Sequence, residues 1–166
     1  MTAGSVDGVA PVLVLALGNV LLHDDGVGQE ILGRLVSTAP ADGVDFVDGG
    51  TQGLALLGRL TGRRSMLILD AVGVGSAAGT VHVLLGGEVT APATNRTAHE
   101  GNAAELLTAA RLTGDWVDDI VVVGIEPEVV STGTGLSPRV EAAVAEASSV
   151  AARVLTRMAG ERREHP

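Results

Sequence analysis

The sequence predicts an α/β three-layer sandwich, a mainly parallel sheet with helices on both faces. Three observations carry that prediction. Wholly apolar runs of strand length alternate with amphipathic runs of helix length, the order that a parallel sheet with crossover helices requires. Phe46 and Trp116 are the only aromatic side chains in a chain that is 46% hydrophobic. The core must therefore be Val, Leu, Ile and Ala, the composition of strands buried on both faces. Finally, 166 residues suit one full-sized core, and no repeat, long linker or low-complexity tract divides them. Residues 1–166 read as a single domain, with 1–10 and 160–166 as flexible tails.

Taken in order, "VLVLAL" (12–17) is a continuous apolar run ending at Gly18, as expected of a central strand. "VGQEILGRLV" (27–36) aligns Val27, Ile31 and Leu35 on one helical stripe, with Leu32 and Val36 beside it. "VDFVDGG" (44–50) reads as a short strand stopped by two glycines, and "GLALLGRL" (53–60) as a helix weakened by Gly58. "SMLILDA" (65–71) is a second apolar strand with Asp70 at its end. "TVHVLLG" (80–86) is β-branched and carries a polar residue inside it, which suits an edge strand with His82 facing solvent. "AAELLTAARL" (103–112) is helical and "DIVVVGIEP" (119–127) is a third apolar strand. The last helix has Ser137 to cap it, Pro138 at its first position and "RVEAAVAEASSVAARVLTRM" to continue it.

Composition removes several functions. There is no cysteine, so disulfides, thiolate metal sites and a cysteine nucleophile are excluded. Net charge is −9, and all 11 basic residues are arginines with no basic stripe. Nucleic acid and anionic membrane are therefore not the expected partners. The start of the chain lacks the positive segment of a signal peptide, and the longest apolar run, near residues 9–17, is too short to span a bilayer. The expected location is the cytoplasm. With no lysine a Walker loop is impossible, and Val20 breaks a dinucleotide-binding glycine pattern after the first strand.

What remains is a set of acids at strand ends. In parallel sheets, ligands bind outside the carboxyl ends of the strands. Asp24 and Asp25 follow the first strand, Asp48 ends the second, Asp70 ends the third, and His99 precedes the third helix. Each has a plain alternative: Asp24-Asp25-Gly26 is a turn whose Asp caps the next helix, Asp70 caps a loop, and His99 is a solvated or hydrogen-bonded histidine. Together, Asp25, Asp70 and His99 can converge on one rim, and two carboxylates with one imidazole suit a divalent ion such as Ni²⁺, Zn²⁺ or Mn²⁺. His23 and Glu126 are weaker candidates, and His165 lies in the polar tail. "DGGTQG" (48–53) and "STGTGLSP" (131–138) read as flexible loops before helices, suited to an extended peptide.

"GNVLLHDDGVG", "DGGTQG", "LILDA", "AHE" and "GIEPEVVSTGTGLSP" together resemble, in order and over nearly the whole chain, the hydrogenase maturation endopeptidases. The resemblance implies a twisted five-stranded sheet between helices. It also implies removal of a C-terminal extension from the precursor of a [NiFe]-hydrogenase large subunit once nickel is inserted. By motif, Asp25, Asp70 and His99 are the metal-contacting and catalytic residues, Asp25 standing where the family often has Glu. Asp48, Gly49, Gly50 and Thr51 fall on the substrate-binding block, with Asn19 and Asp24 supporting the metal contacts. The implied metal is nickel brought by the substrate, with zinc or cadmium able to substitute in vitro. The motifs offer no Ser–His or Cys–His pair, so water is the attacking group. Two rival readings are a metal-independent carboxylate dyad, as in the germination proteases that resemble this family in fold, and a binding module without enzymatic activity.

Overall fold

The computed structural model describes residues 8–39, 42–90 and 101–161. Strands β1 (Val12–Leu17), β2 (Val44–Gly50), β3 (Ser65–Ala71), β4 (Val81–Leu85) and β5 (Asp119–Ile125) form one sheet in the order β2-β1-β3-β5-β4. β1 pairs in parallel with β2 and β3, and β3 with β5; β4 runs antiparallel to β5 at the edge. The expected mainly parallel α/β sandwich is the architecture adopted.

Side chains alternate across each strand, and here both faces are covered. Val12, Val14 and Ala16 of β1 face helices α1 (Val27–Thr38) and α4 (Pro138–Gly160). Leu13, Leu15 and Leu17 face the opposite layer, made of α2 (Gly86–Thr90), α3 (Gly101–Thr113) and a 3-10 segment, Gly53–Arg59. Burying each of these Val and Leu side chains stabilises the fold by roughly 1.5–3 kcal/mol. On α4 the inward face carries Ala143, Ala147 and Ala151, small enough for the helix to lie close on the sheet. No helix among the described residues is long and apolar enough to cross a membrane.

Several local expectations need correction. Residues 53–59 form a 3-10 segment, not an α-helix; Gly53 takes a left-handed φ of 56°, and Gly58 inside the segment is a poor α-helix former. Val36 lies one position beyond the inward stripe of α1 and is exposed. β2 continues through Gly50, so residues 48–50 belong to the sheet and are not a loop. Pro138 does begin α4, but Ser137 makes no side-chain cap there. His82 does not face solvent: its side chain is 14% exposed and its Nε2 lies 2.9 Å from Glu126 Oε2.

The strand order creates the crevice. The chain leaves β1 and goes to β2 on one side, while β3 lies on the other, so β1 and β3 flank the point where the winding reverses. Ligand crevices in such sheets open at this point, beyond the carboxyl ends of the strands. α1 starts directly above it. A Cβ at Gly28 would collide with the carbonyl oxygens of Leu17 and Leu69, so only glycine lets the helix sit against the ends of both strands.

Candidate active site

The segment between β1 and α1 folds as a 3-10 turn, His23–Gly26, and carries two adjacent acids with opposite surroundings. Asp24 turns inward and is fully buried. Its Oδ2 accepts from the N–H groups of Glu128 (2.9 Å) and Val129 (2.8 Å) and from the Ser137 hydroxyl (2.8 Å). Its Oδ1 accepts from the Ser137 N–H at 2.7 Å. Burial alone would raise the pKa of Asp24; the bonds from Val129, Ser137 and Glu128 outweigh it and hold the carboxyl below its ordinary value. Neither acid caps α1 through its side chain. Asp24 instead clamps residues 128–137, which makes this loop a braced structure and uses the N–H donor expected to stand free before α4.

His23 reinforces the clamp. At a φ of 47°, its N–H donates to Gly133 O (2.9 Å) and its Nδ1 lies 3.0 Å from Gly135 O. Gly133 must be glycine, since a Cβ there would strike the imidazole.

Asp25 points the other way, partly exposed, with Oδ2 accepting the Asn19 N–H at 2.8 Å. Asn19 in turn accepts Leu21 N–H on its Oδ1 at 2.9 Å, which pins the turn. Asp70, at the end of β3, is 1% exposed. It accepts Ala71 N–H at 2.9 Å and, at 3.3 Å, the N–H of Ala103 in the first turn of α3. Burial, and then the negative charge of Asp25, push the Asp70 carboxyl well above its ordinary value. The structure thus brings Asp25 and Asp70 together across the β1/β3 crevice. The expected third member, His99, lies outside the described residues, as does His165. Among the described residues, no group of three His, Asp or Glu side chains is arranged to hold a metal ion.

On the other side of β1, Asp48 Oδ1 accepts Gly50 N–H at 3.0 Å and the Gln29 amide at 3.2 Å; the same amide donates to Gly18 O at 2.9 Å. The pairing of β1 with β2 shifts register between Ala16 and Leu17, a bulge of the kind found beside active sites. Gly49 is buried, its missing Cβ leaving room for Leu15 and Leu56, so packing uses it. Thr51 is exposed on the rim. The part played by Gln29 was not foreseen; only its place in the first helical turn could have suggested it.

Comparison with known proteins identifies the family and its fold. The family model HycI, hydrogenase maturation protease, matches residues 31–154. The hydrogenase 2 maturation protease of Escherichia coli K12 is 38% identical over 136 residues, covering 80% of this chain and 83% of that protein. Hydrogenase expression/formation protein HoxM of Cupriavidus necator is 34% identical over 155 residues, 90% and 76% of the two chains. Among solved structures, the hydrogenase maturating endopeptidase HybD of Escherichia coli superposes with a TM-score of 0.77 at 36% identity, covering 88% of this chain and 92% of that one. The [NiFe] hydrogenase maturation protease HybD of Thermococcus kodakarensis gives 0.68 at 29% identity, covering 87% and 98%. The chain belongs to the hydrogenase maturation proteases, a family of peptide hydrolases.

Proposed function

We propose that this protein removes the C-terminal extension from the precursor of a [NiFe]-hydrogenase large subunit after nickel insertion, and that Asp25, Asp70 and His99 recognise the substrate-bound nickel. The observation that carries the reading is the pair of carboxylates from different strand ends, near enough that the charge of Asp25 raises the pKa of Asp70. Two such acids are tolerated together when one is protonated or when a cation joins them. A nickel-loaded substrate brings that cation; an unloaded one does not. Held between protein and substrate, nickel would fix the scissile peptide in place and polarise its carbonyl or a water.

The donor set fits. Asp25 is bonded through one oxygen only among the described residues, leaving the other for a ligand. Asp70 is oriented by Ala71 and by the start of α3. His99, outside the described residues, stands in the sequence four positions before Ala103, whose N–H is bonded to Asp70. Asp25 and Asp70 then act as anionic ligands and proton acceptors, with water as the nucleophile.

The raised Asp70 also favours a second reading, a dyad in which protonated Asp70 and ionised Asp25 activate water without metal. One experiment separates the two: nickel-loaded and nickel-free precursors are incubated with the protein and with His99→Ala, and their masses compared. Nickel recognition predicts cutting of the loaded precursor alone and its loss in the variant. Equal cutting of both precursors, kept in His99→Ala, supports the dyad; cutting of neither removes both.

A further inference from the structure

Glu126, immediately after β5, is a buried carboxylate that the chemistry above does not use; it is 5% exposed. Its side chain reaches across to the connection between β3 and β4. Oε1 accepts Gly75 N–H at 2.9 Å, Val74 N–H is shared between both oxygens at 3.2 and 3.1 Å, and His82 Nε2 donates to Oε2 at 2.9 Å. Its backbone holds the far end of the same connection: Glu126 N–H donates to Thr80 O (2.8 Å) and Glu126 O accepts from Gly79 N–H (2.9 Å). Nearer β3, Val72 N–H donates to Ile125 O at 3.1 Å.

The connection itself, Gly73-Val-Gly-Ser-Ala-Ala78, has almost nothing of its own to pack. Residues 74–77 are exposed, and Gly75 and Gly79 adopt left-handed φ values of 85° and 86°. Such a segment is held by its hydrogen bonds or it wanders. The link from β3 begins at Val72, two residues after Asp70, and Val72, Gly73 and Val74 line a cavity of about 30 Å³ that Asp70 also lines. Glu126 is therefore one residue on which the middle and the far end of the loop beside the carboxylate pair converge, while its neighbour Ile125 holds the near end.

We infer that Glu126, oriented by His82, is a positioning residue that fixes loop 72–79 as the wall against which the precursor's polypeptide lies on its way past Asp70. The inference rests on the peptidase reading above. Because the described hydrogen bonds to the Asp25 and Asp70 carboxyl groups come from Asn19, Ala71 and Ala103 and none from the loop, the binding that the loop supplies is equal in the ground and transition states. Losing such binding raises KM and leaves kcat alone.

The test measures cleavage of nickel-loaded precursor at a range of concentrations, with hydrogen exchange of the amides of Val74 and Gly75. Glu126→Ala should raise KM about tenfold with kcat within about twofold, and both amides should exchange faster. Glu126→Gln keeps a side-chain oxygen for those amides and should restore KM to within about threefold of the parent. Val74→Ser, at an exposed site that leaves the fold intact, should raise KM about threefold on its own, and it decides the matter if Glu126→Ala does not fold. Unchanged KM in Val74→Ser, or a fall in kcat at unchanged KM in a folded Glu126→Ala, overturns the inference while leaving the peptidase reading in place. A parent protein that cuts no precursor overturns both.

Discussion

Asp24 and Asp70 are buried carboxylates on the same rim, 0% and 1% exposed, and their surroundings push them in opposite directions. Asp24 accepts four hydrogen bonds, three from backbone N–H groups, and stays ionised below its ordinary pKa. Asp70 has two bonds, one of them long, and faces the charge of Asp25, so its pKa rises. Burial works against the charge of both acids, and the compensation they receive differs. The first region resembles a structural rivet, with both oxygens engaged and the charge serving to join two loops. The second holds charge that the protein leaves under-compensated, which is the usual mark of a site where chemistry or a ligand completes the balance.

Substitutions break this contrast in a definite order. The largest effect is expected from Asp70→Asn: cleavage of nickel-loaded precursor, followed by mass, should fall by about 10²–10⁴-fold, while the thermal midpoint at neutral pH is no lower than the parent's. A marked loss of stability would make Asp70 a rivet like Asp24. Next is Asp24→Ala, which strands the N–H groups of Glu128, Val129 and Ser137. It should cost about 2–4 kcal/mol in denaturant unfolding.

The same pair sharpens by pH. Asp24 has a lowered folded pKa, so its contribution is present above the ordinary value of 3.8 and is lost as pH falls through the lower folded value. Asp70 has a raised folded pKa, so its contribution is present below 3.8 and is lost as pH rises through the folded value. Asp70→Asn should therefore gain stability over the parent as pH rises, and Asp24→Asn should lose its deficit only in acid. Matching pH profiles for the two variants would end the contrast. The smallest effect belongs to Ser137→Ala, which removes one of four bonds to Asp24: about 1 kcal/mol of stability, with cleavage unchanged.

Much of this was legible in the residues, for identifiable reasons. The strands declared themselves because β1, β3 and β5 are covered on both faces, and continuous aliphatic runs have few other uses. The place of Asp25 and Asp70 followed from a rule about strand ends, which needs only the order of elements. The role of Asp24 was not legible. As the residue before Asp25 it looked like part of a turn or a helix cap, whereas its partners lie more than a hundred positions away at 128, 129 and 137. Ser137 misled for the same reason: its spacing from Pro138 signals a cap, yet its hydroxyl is taken by Asp24. In a local window His82 looks solvent-facing and Glu126 looks like a loop acid, and only the antiparallel return of β4 beside β5 brings them to 2.9 Å.

By itself, then, the sequence determined which segments are strands and helices, that the sheet is mainly parallel, and that acids crowd its carboxyl edge. These are consequences of periodicity and local chemistry, and both are written in adjacent residues. Only the tertiary structure decided which acid is braced and which is exposed to its neighbour's charge. Ionisation depends on the donors and charges gathered within a few ångströms, and distant parts of the chain supply them.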